Sequence, residues 1–342
     1  MSRSRALQSY VIARLLLAPL MLWTIVTVVF LLLRATPGDP VDVILGGRGA
    51  PDSVKEEYRQ RLGLNDPLWL QYINYLGSLL RFDLGTSLTS QGQDVWEIIQ
   101  QHFPATLELA TFSMIVALIV GIGFGAISAS KPNTIFDVSG RLFGIITYAI
   151  PLFWFGMILQ LIFAVQLGWF PPNGRFSLAS SPPETITGVY TLDSILNGNV
   201  NQLLISLHYL ALPCLTLGFL ISGIFERIVR VNLRQTLKAD YVEAARARGI
   251  SESKILVSHA LKNALIPVIT VLGLTFASML GGAVLTEVTF SWPGLGSRLY
   301  QAIAERDYPT VQGIMVFFAA IVVAASILID IVNAYIDPRI RY

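Results

Sequence analysis

Apolar residues run along this chain in blocks too long for a soluble core. Five runs, Leu15–Leu33, Leu107–Ala129, Leu142–Leu167, Ala264–Leu285 and Val311–Ile329, each reach the roughly 20 residues that a helix needs to cross the hydrocarbon core. A sixth, Leu203–Phe225, is interrupted by His208 and Pro213 but is otherwise apolar. The pattern predicts an all-α membrane protein with six transmembrane helices. Pro151, Pro213 and Pro267 are expected to kink or start spans, and Gly121-x3-Gly125 to form a packing face. An even number of spans leaves both termini on one side.

Basic residues select the side. Segments 1–14, 130–141, 226–263 and 335–342 hold 15 of the 24 Lys and Arg residues, whereas the longer opposite segments hold 9, with 14 of the 22 acids. The positive-inside bias then predicts cytoplasmic N- and C-termini. Arg3, Arg5 and Arg14 precede the first run, but no small-x-small site follows it, so it reads as an uncleaved anchor. The expected organisation is an N-terminus and first span over 1–34, an external helical insert over 35–104, and a five-helix transmembrane core over 105–342 with a cytoplasmic loop at 226–263.

The insert carries helix punctuation. Asp52 and Ser53 predict an N-cap for a helix reaching Arg61-Leu62 and stopped by Gly63. Asp66-Pro67 repeats the start signal, and Leu68, Tyr72, Ile73, Tyr75, Leu76, Leu79 and Leu80 give the next helix an apolar stripe. Trp69, Tyr72 and Tyr75 suit contact with lipid headgroups. A third short helix is expected from Asp94 to just before Pro104. Packing on the membrane domain is preferred over a binding role for the insert.

The 226–263 loop is the most informative stretch. Asp240-Tyr241-Val242-Glu243 has the form of a capping box, and Gly249 is placed to stop the helix that follows. Ser251 offers a cap for a second helix that continues into the fifth span. Composition leaves two readings level: small alanines and arginines that plug into a groove on another protein, or a basic hairpin held by anionic membrane lipids.

Composition removes other classes. The chain is 54% hydrophobic and 13% charged against about 25% charged for a soluble domain. A net charge of +2 gives no nucleic-acid face, and Cys214 is the only cysteine. His102, His208 and His259 lack metal-ligand spacing, Glu108 and Asp330 lie near span ends, and structural roles are expected for all five. Gln160, a polar residue within the third run, is the one candidate for cargo contact along a pathway. No protease nucleophile elbow, zinc-binding His pair or paired intramembrane Asp occurs, and neither inverted repeats nor several buried charges mark a stand-alone secondary transporter.

Glu243-Ala244-Ala245 followed after three residues by Gly249 resembles the EAA–Gly motif of the membrane subunits of ABC importers. The usual closing Ile-x-Leu-Pro is replaced by His259–Pro267, as in the dipeptide and oligopeptide permease branch. Thr36–Pro40, Gly63–Leu68, Gln71-Tyr72, Asp83–Ser87, Trp292–Gly296, Arg306–Pro309 and Asp337-Pro338-Arg339 also resemble that branch, specifically its B-type subunits. Arg81-Phe82-Asp83 departs slightly, a Gly before the Asp being more usual. The resemblance implies a non-catalytic transport subunit in a bacterial inner membrane that forms half of a translocation pathway. It would pair with a second homologous permease subunit, two ATP-binding cassette ATPase subunits and an external substrate-binding protein. ATP and Mg would sit in the ATPases, since this chain has no Gly-x4-Gly-Lys-Ser/Thr loop. Tyr241, Glu243, Ala244, Ala245, Arg246, Arg248, Gly249 and Ile250 would form the ATPase-coupling element. Peptide is the implied cargo, with nickel, glutathione and oligosaccharides as cargoes of relatives.

Overall fold

The computed structural model describes residues 3–36, 38, 39, 41, 42, 45, 51–61 and 63–336, with the side chains of 3–15, 282, 330 and 332–336 outside that description. Pro37, Pro40, Leu62, the Asp330 side chain and Asp337–Arg339 therefore lie outside the described residues. Among the described residues, four helices are long and apolar enough to cross a bilayer: the Leu16–Ala35 part of α1 (Arg3–Ala35), α4 (Val95–Ser130), α8 (Val200–Thr236) and the Tyr308–Ile329 part of α13 (Tyr308–Ile336). Between them come α2 (Asp52–Arg61), α3 (Leu68–Leu80), α5 (Ile135–Ala149), α6 (Leu152–Leu159), α7 (Tyr190–Leu196), α9 (Asp240–Ala247), α10 (Ile266–Gly282), α11 (Val284–Thr289) and α12 (Leu295–Ala304). A π-helical turn, Gln160–Gln166, extends α6. Residues 252–264 form a helical segment whose middle, Ile255–Leu261, is also π-helical.

Six crossings result only if two bent pairs each count as one. Helices α5 and α6 meet at 102°, and the 252–264 segment meets α10 at 51°. The third run is thus two helices rather than one. Ile150 and Pro151 are extended (ψ 126° and 130°), and Pro151 lacks the N–H that would continue the α5 ladder. Pro267 sits in the first turn of α10, where a missing N–H costs nothing. Pro213, by contrast, lies inside an unbroken α8, and His208 does not interrupt it either. Burial of Leu210, Leu212, Cys214 and Leu217 offsets the lost hydrogen bond.

The same competition corrects the expected end at Pro104. Asp94 caps α4 as read, its carboxylate accepting from Trp96 N at 2.6 Å. The helix then runs through Pro104 and on to Ser130, because Val95, Ile98, Ile99, Ala105 and Leu109 are all fully buried. The short helix expected to end before Pro104 is therefore the first part of α4.

Helices α4 and α8 form the centre. Ala105, Leu109, Met114 and Ala117 of α4 pack with Leu210, Cys214, Leu217 and Phe225 of α8, joined by Val268, Met279 and Trp292. A Cβ on Gly121 would meet the Ser222 carbonyl oxygen at 2.6 Å, and one on Gly125 the Glu226 carbonyl oxygen at 2.8 Å. The Gly121-x3-Gly125 face is therefore a packing face, as its spacing predicts.

The hydrophilic insert is held by specific bonds. Arg59 of α2 donates to Asp39 at 2.7 Å, and Lys55 pairs with Asp42 at 2.7 Å, which keeps the Asp42 carboxyl below its usual range. The start of α3 differs from expectation: Pro67, not Asp66, occupies the cap position, and the Gln71 amide donates to the Leu64 and Asp66 carbonyls instead. Likewise Asp52 is the first residue of α2, behind Pro51. Tyr72 and Tyr75 turn toward α1. Their rings pack on Phe30 of α1, and Tyr72 shares a 2.5 Å hydrogen bond with Thr27. Trp69, Leu68 and Ile73 keep the outward face.

Asp307 explains why Asp83–Ser87 and Arg306–Pro309 occur together. Its fully buried carboxylate accepts from Ser87 Oγ at 2.5 Å, Leu88 N at 3.1 Å, Thr89 Oγ1 at 3.1 Å and Thr310 Oγ1 at 2.8 Å. Asp307→Ala strands several buried donors, at about 1–3 kcal/mol for each left unpaired. We expect that variant to be clipped by protease within residues 84–94 at doses that spare the parent, with Asp307→Asn intermediate. Equal resistance of all three would refute this role.

Candidate functional site

The segment read as a loop from 226 begins as helix, since α8 continues to Thr236. The connection proper is 237–251, and α9 lies within it. The predicted capping box does not form. The cap position falls on Ala239, whose carbonyl accepts from Val242 N at 2.8 Å, and no side chain caps the helix. Asp240 and Glu243 instead place negative charge in the first turn, where the helix dipole favours it. Ser251 does occupy the cap position of the following segment, but its hydroxyl makes no capping bond.

The end of α9 is a Schellman turn. Gly249 N donates to Arg246 O at 2.9 Å and Ile250 N to Ala245 O at 3.2 Å, with Gly249 at φ +72°. Nothing lies within 4 Å of a Cβ built on Gly249, so the demand is on backbone conformation alone. Ile250 completes the motif by packing on Val242, Ala245 and Ile255.

These bonds sort the eight sequence-selected residues. Ala245 and Ile250 face inward and anchor α9. Tyr241, Glu243, Ala244 and Arg248 are exposed on its outer face. Arg246 closes the loop, donating to both oxygens of Glu252 at 2.7 and 3.2 Å, and that bond raises its already basic guanidinium further. Tyr241 accepts from Asn263 at 2.8 Å, tying α9 to the 252–264 segment. Asn263 is a partner that sequence reasoning missed. The Glu243 carboxylate makes no hydrogen bond or ion pair among the described residues and is exposed.

Gln160 is bonded to other elements. Its amide donates to Pro172 O at 2.7 Å and Thr289 O at 3.1 Å, which commits both N–H groups to joining the π-helical turn, the 171–173 loop and α11. Glu108 is buried and structural: it accepts from Arg175 at 2.7 and 2.9 Å and from Thr191 N at 2.7 Å. His102 and His208 bond the carbonyls of Pro293 and Trp169. Among the described residues, no three His, Cys, Asp or Glu side chains form a metal-holding group.

Sequence reasoning also missed a charged layer one to three turns before the loop. Glu226 and Arg230 pair at 2.9 Å along α8, and Arg234 pairs with Asp137 of α5. In the sequence, Arg230 and Arg234 count only toward the basic bias of the 226–263 segment. The i,i+4 spacing of Glu226 and Arg230 was the available signal.

Comparison with known proteins agrees with this arrangement. Residues 121–342 match the family described as "Binding-protein-dependent transport system inner membrane component", and residues 7–110 match its N-terminal counterpart. The chain is 39% identical to the dipeptide transport system permease protein of Alkalihalophilus pseudofirmus over 98% of this chain and 99% of that one. It is 41% identical to the di/tripeptide transport system permease protein of Pseudomonas aeruginosa over 92% and 93% of the two chains. With the oligopeptide transport system permease protein of Bacillus subtilis the identity is 36%, over 98% and 99%. A bundle of long apolar helices, a short solvent-facing helix after α8 and these near-full-length matches lead to one assignment: the chain belongs to the binding-protein-dependent transport system inner membrane components, within their dipeptide and oligopeptide permease branch.

Proposed function

We propose that this chain is one of two permease subunits of an ATP-driven importer for di- and oligopeptides, in a bacterial inner membrane with both termini cytoplasmic. It contributes half of the pathway and pairs with a second, homologous permease. Two ATP-binding cassette subunits hold ATP and Mg, and an external binding protein delivers the peptide. The observation that carries this reading is α9: a short helix fixed from within by Ala245, Ile250 and Arg246, presenting the Glu243 and Ala244 side chains outward with no side-chain partner among the described residues. Such a rigid, small-residue surface suits a groove on another protein and transmits its displacement as a body. The peptide cargo is supported by the names of the related permeases.

Uptake of labelled tri- to pentapeptides, measured in cells with and without the gene and with nickel uptake alongside, tests the proposal. Loss of peptide uptake on deletion, restored by the gene, is the expected result. Intact peptide uptake with lost nickel uptake would replace the cargo but keep the architecture.

A further inference from the structure

The charged layer between α5 and α8 has no part in the reading above, yet it buries two carboxylates. Asp137 is 1% and Glu226 0% exposed. Each carboxylate has an arginine: Arg234 meets Asp137, Arg230 donates to Glu226 at 2.9 Å, and the more exposed Arg141 approaches Asp137 at 3.7 Å. Asn133 N also donates to Asp137 at 3.2 Å. Buried ion pairs seldom add net stability over apolar packing, so their presence points to a need for fixed geometry.

The geometry they fix is a joint. Helix α5 lies against α8 along Gly140 and Gly144, where a Cβ on Gly140 would meet Glu226 Oε1 at 2.9 Å and one on Gly144 would meet Glu226 Oε2 at 3.2 Å. Immediately beyond Arg234 the loop begins. Leu233 and Leu237 pack with Ala129, Ala260 and Ala264, and Arg246 reaches Leu237 O at 3.4 Å. Contacts therefore run without a gap from α9 through the last turn of α8 to Asp137. From there α5 leads to the 102° bend and α6.

We propose that Asp137–Arg234 and Glu226–Arg230 form a clamp that carries displacement of the 237–251 loop into α5, with Asp137 and Arg234 as its positioning residues. The inference rests on the coupling role proposed for α9. The clamp stays closed throughout the cycle: its value lies in making α5 and the end of α8 move together.

The test uses the whole importer, reconstituted with its partner permease, ATPases and binding protein. Asp137→Asn and Arg234→Gln are expected to lower peptide transported per ATP hydrolysed by about tenfold, a usual size for a coupling term, while hydrolysis itself continues. A purely structural role would lower assembled complex and leave that ratio alone. The double variant D137C/R234C should show the same low ratio, and bridging its two thiols with a short bifunctional reagent should restore it. The native Cys214 is buried and stays out of the reaction. Failure of the bridge to restore coupling, or a normal ratio in the single variants, would overturn the clamp. Gly249→Val in the same preparation separates the two readings: if it too transports normally, the coupling role of α9 fails; if it alone loses transport, only the clamp fails.

Discussion

Gly249→Val is expected to cut peptide uptake by about thirtyfold or more, with the protein still present in the membrane. The residue sits at φ +72° and closes a Schellman turn through its own N–H and that of Ile250. A β-branched side chain in this region is a steric outlier, at a strain of about 2–3 kcal/mol. That energy is comparable to what the turn and the Ile250 contacts return, so α9 loses its fixed attitude. Space around the position is open, so volume is not the issue. The series should therefore rank by tolerance of the left-handed region: Asn best, Ala next, Val worst. Initial uptake rates, normalised to membrane content and paired with recovery of the ATPase on affinity-purified permease, would measure it. A ranking by side-chain size, with Asn worse than Ala, would remove the backbone explanation. Normal uptake by the Val variant would remove the element itself.

What the sequence made legible here depended on how local the cause was. Gly249 and Asp94 were readable because each acts on residues within five positions. The stop at Gly63 is of the same kind, with Leu64 N donating to Arg59 O. The capping box was a local reading that failed by one register: Ala239 took the cap because the turn Leu237–Ala239 already leaves α8 in the right conformation. Proline positions depend on more than the local residue. Pro104, Pro151 and Pro213 carry the same local penalty, yet only Pro151 breaks a helix. The other two sit where burial on both sides of the residue outweighs one missing hydrogen bond, and burial is a property of the neighbours across the bundle. Long-range partners were invisible for the same reason. Glu287 lies two residues past the Ala264–Leu285 run and is fully buried, with Thr106 Oγ1 at 2.6 Å and Ser297 N at 2.7 Å as donors. Thr106 also accepts from Leu295 N, which places the Trp292–Gly296 motif over that carboxylate. Motif resemblance found those residues; only the fold shows that Glu287 is what they close upon.

The second large effect belongs to Glu108, which lies near a span end and is expected to be structural. It is 2% exposed, and the Arg175 guanidinium that neutralises it is 8% exposed, stacked 3.8 Å from the Tyr190 ring centroid and bonded to Gly188 O at 2.7 Å. The pair fastens the 168–199 connection onto α4. Arg175→Met leaves a carboxylate buried without its cation, which costs about 3–5 kcal/mol, and the melting temperature of the detergent-solubilised protein should fall by several degrees. Adding Glu108→Gln removes the stranded charge while its amide oxygen can still accept from Thr191 N, bonded to Glu108 at 2.7 Å. The double variant should therefore melt above Arg175→Met, recovering more than half of the loss. Such non-additivity is the signature of two groups that act on each other rather than separately on the fold. A double variant less stable than either single one would mean that the pair contributes shape and hydrogen bonds, and that mutual neutralisation is not what keeps it buried.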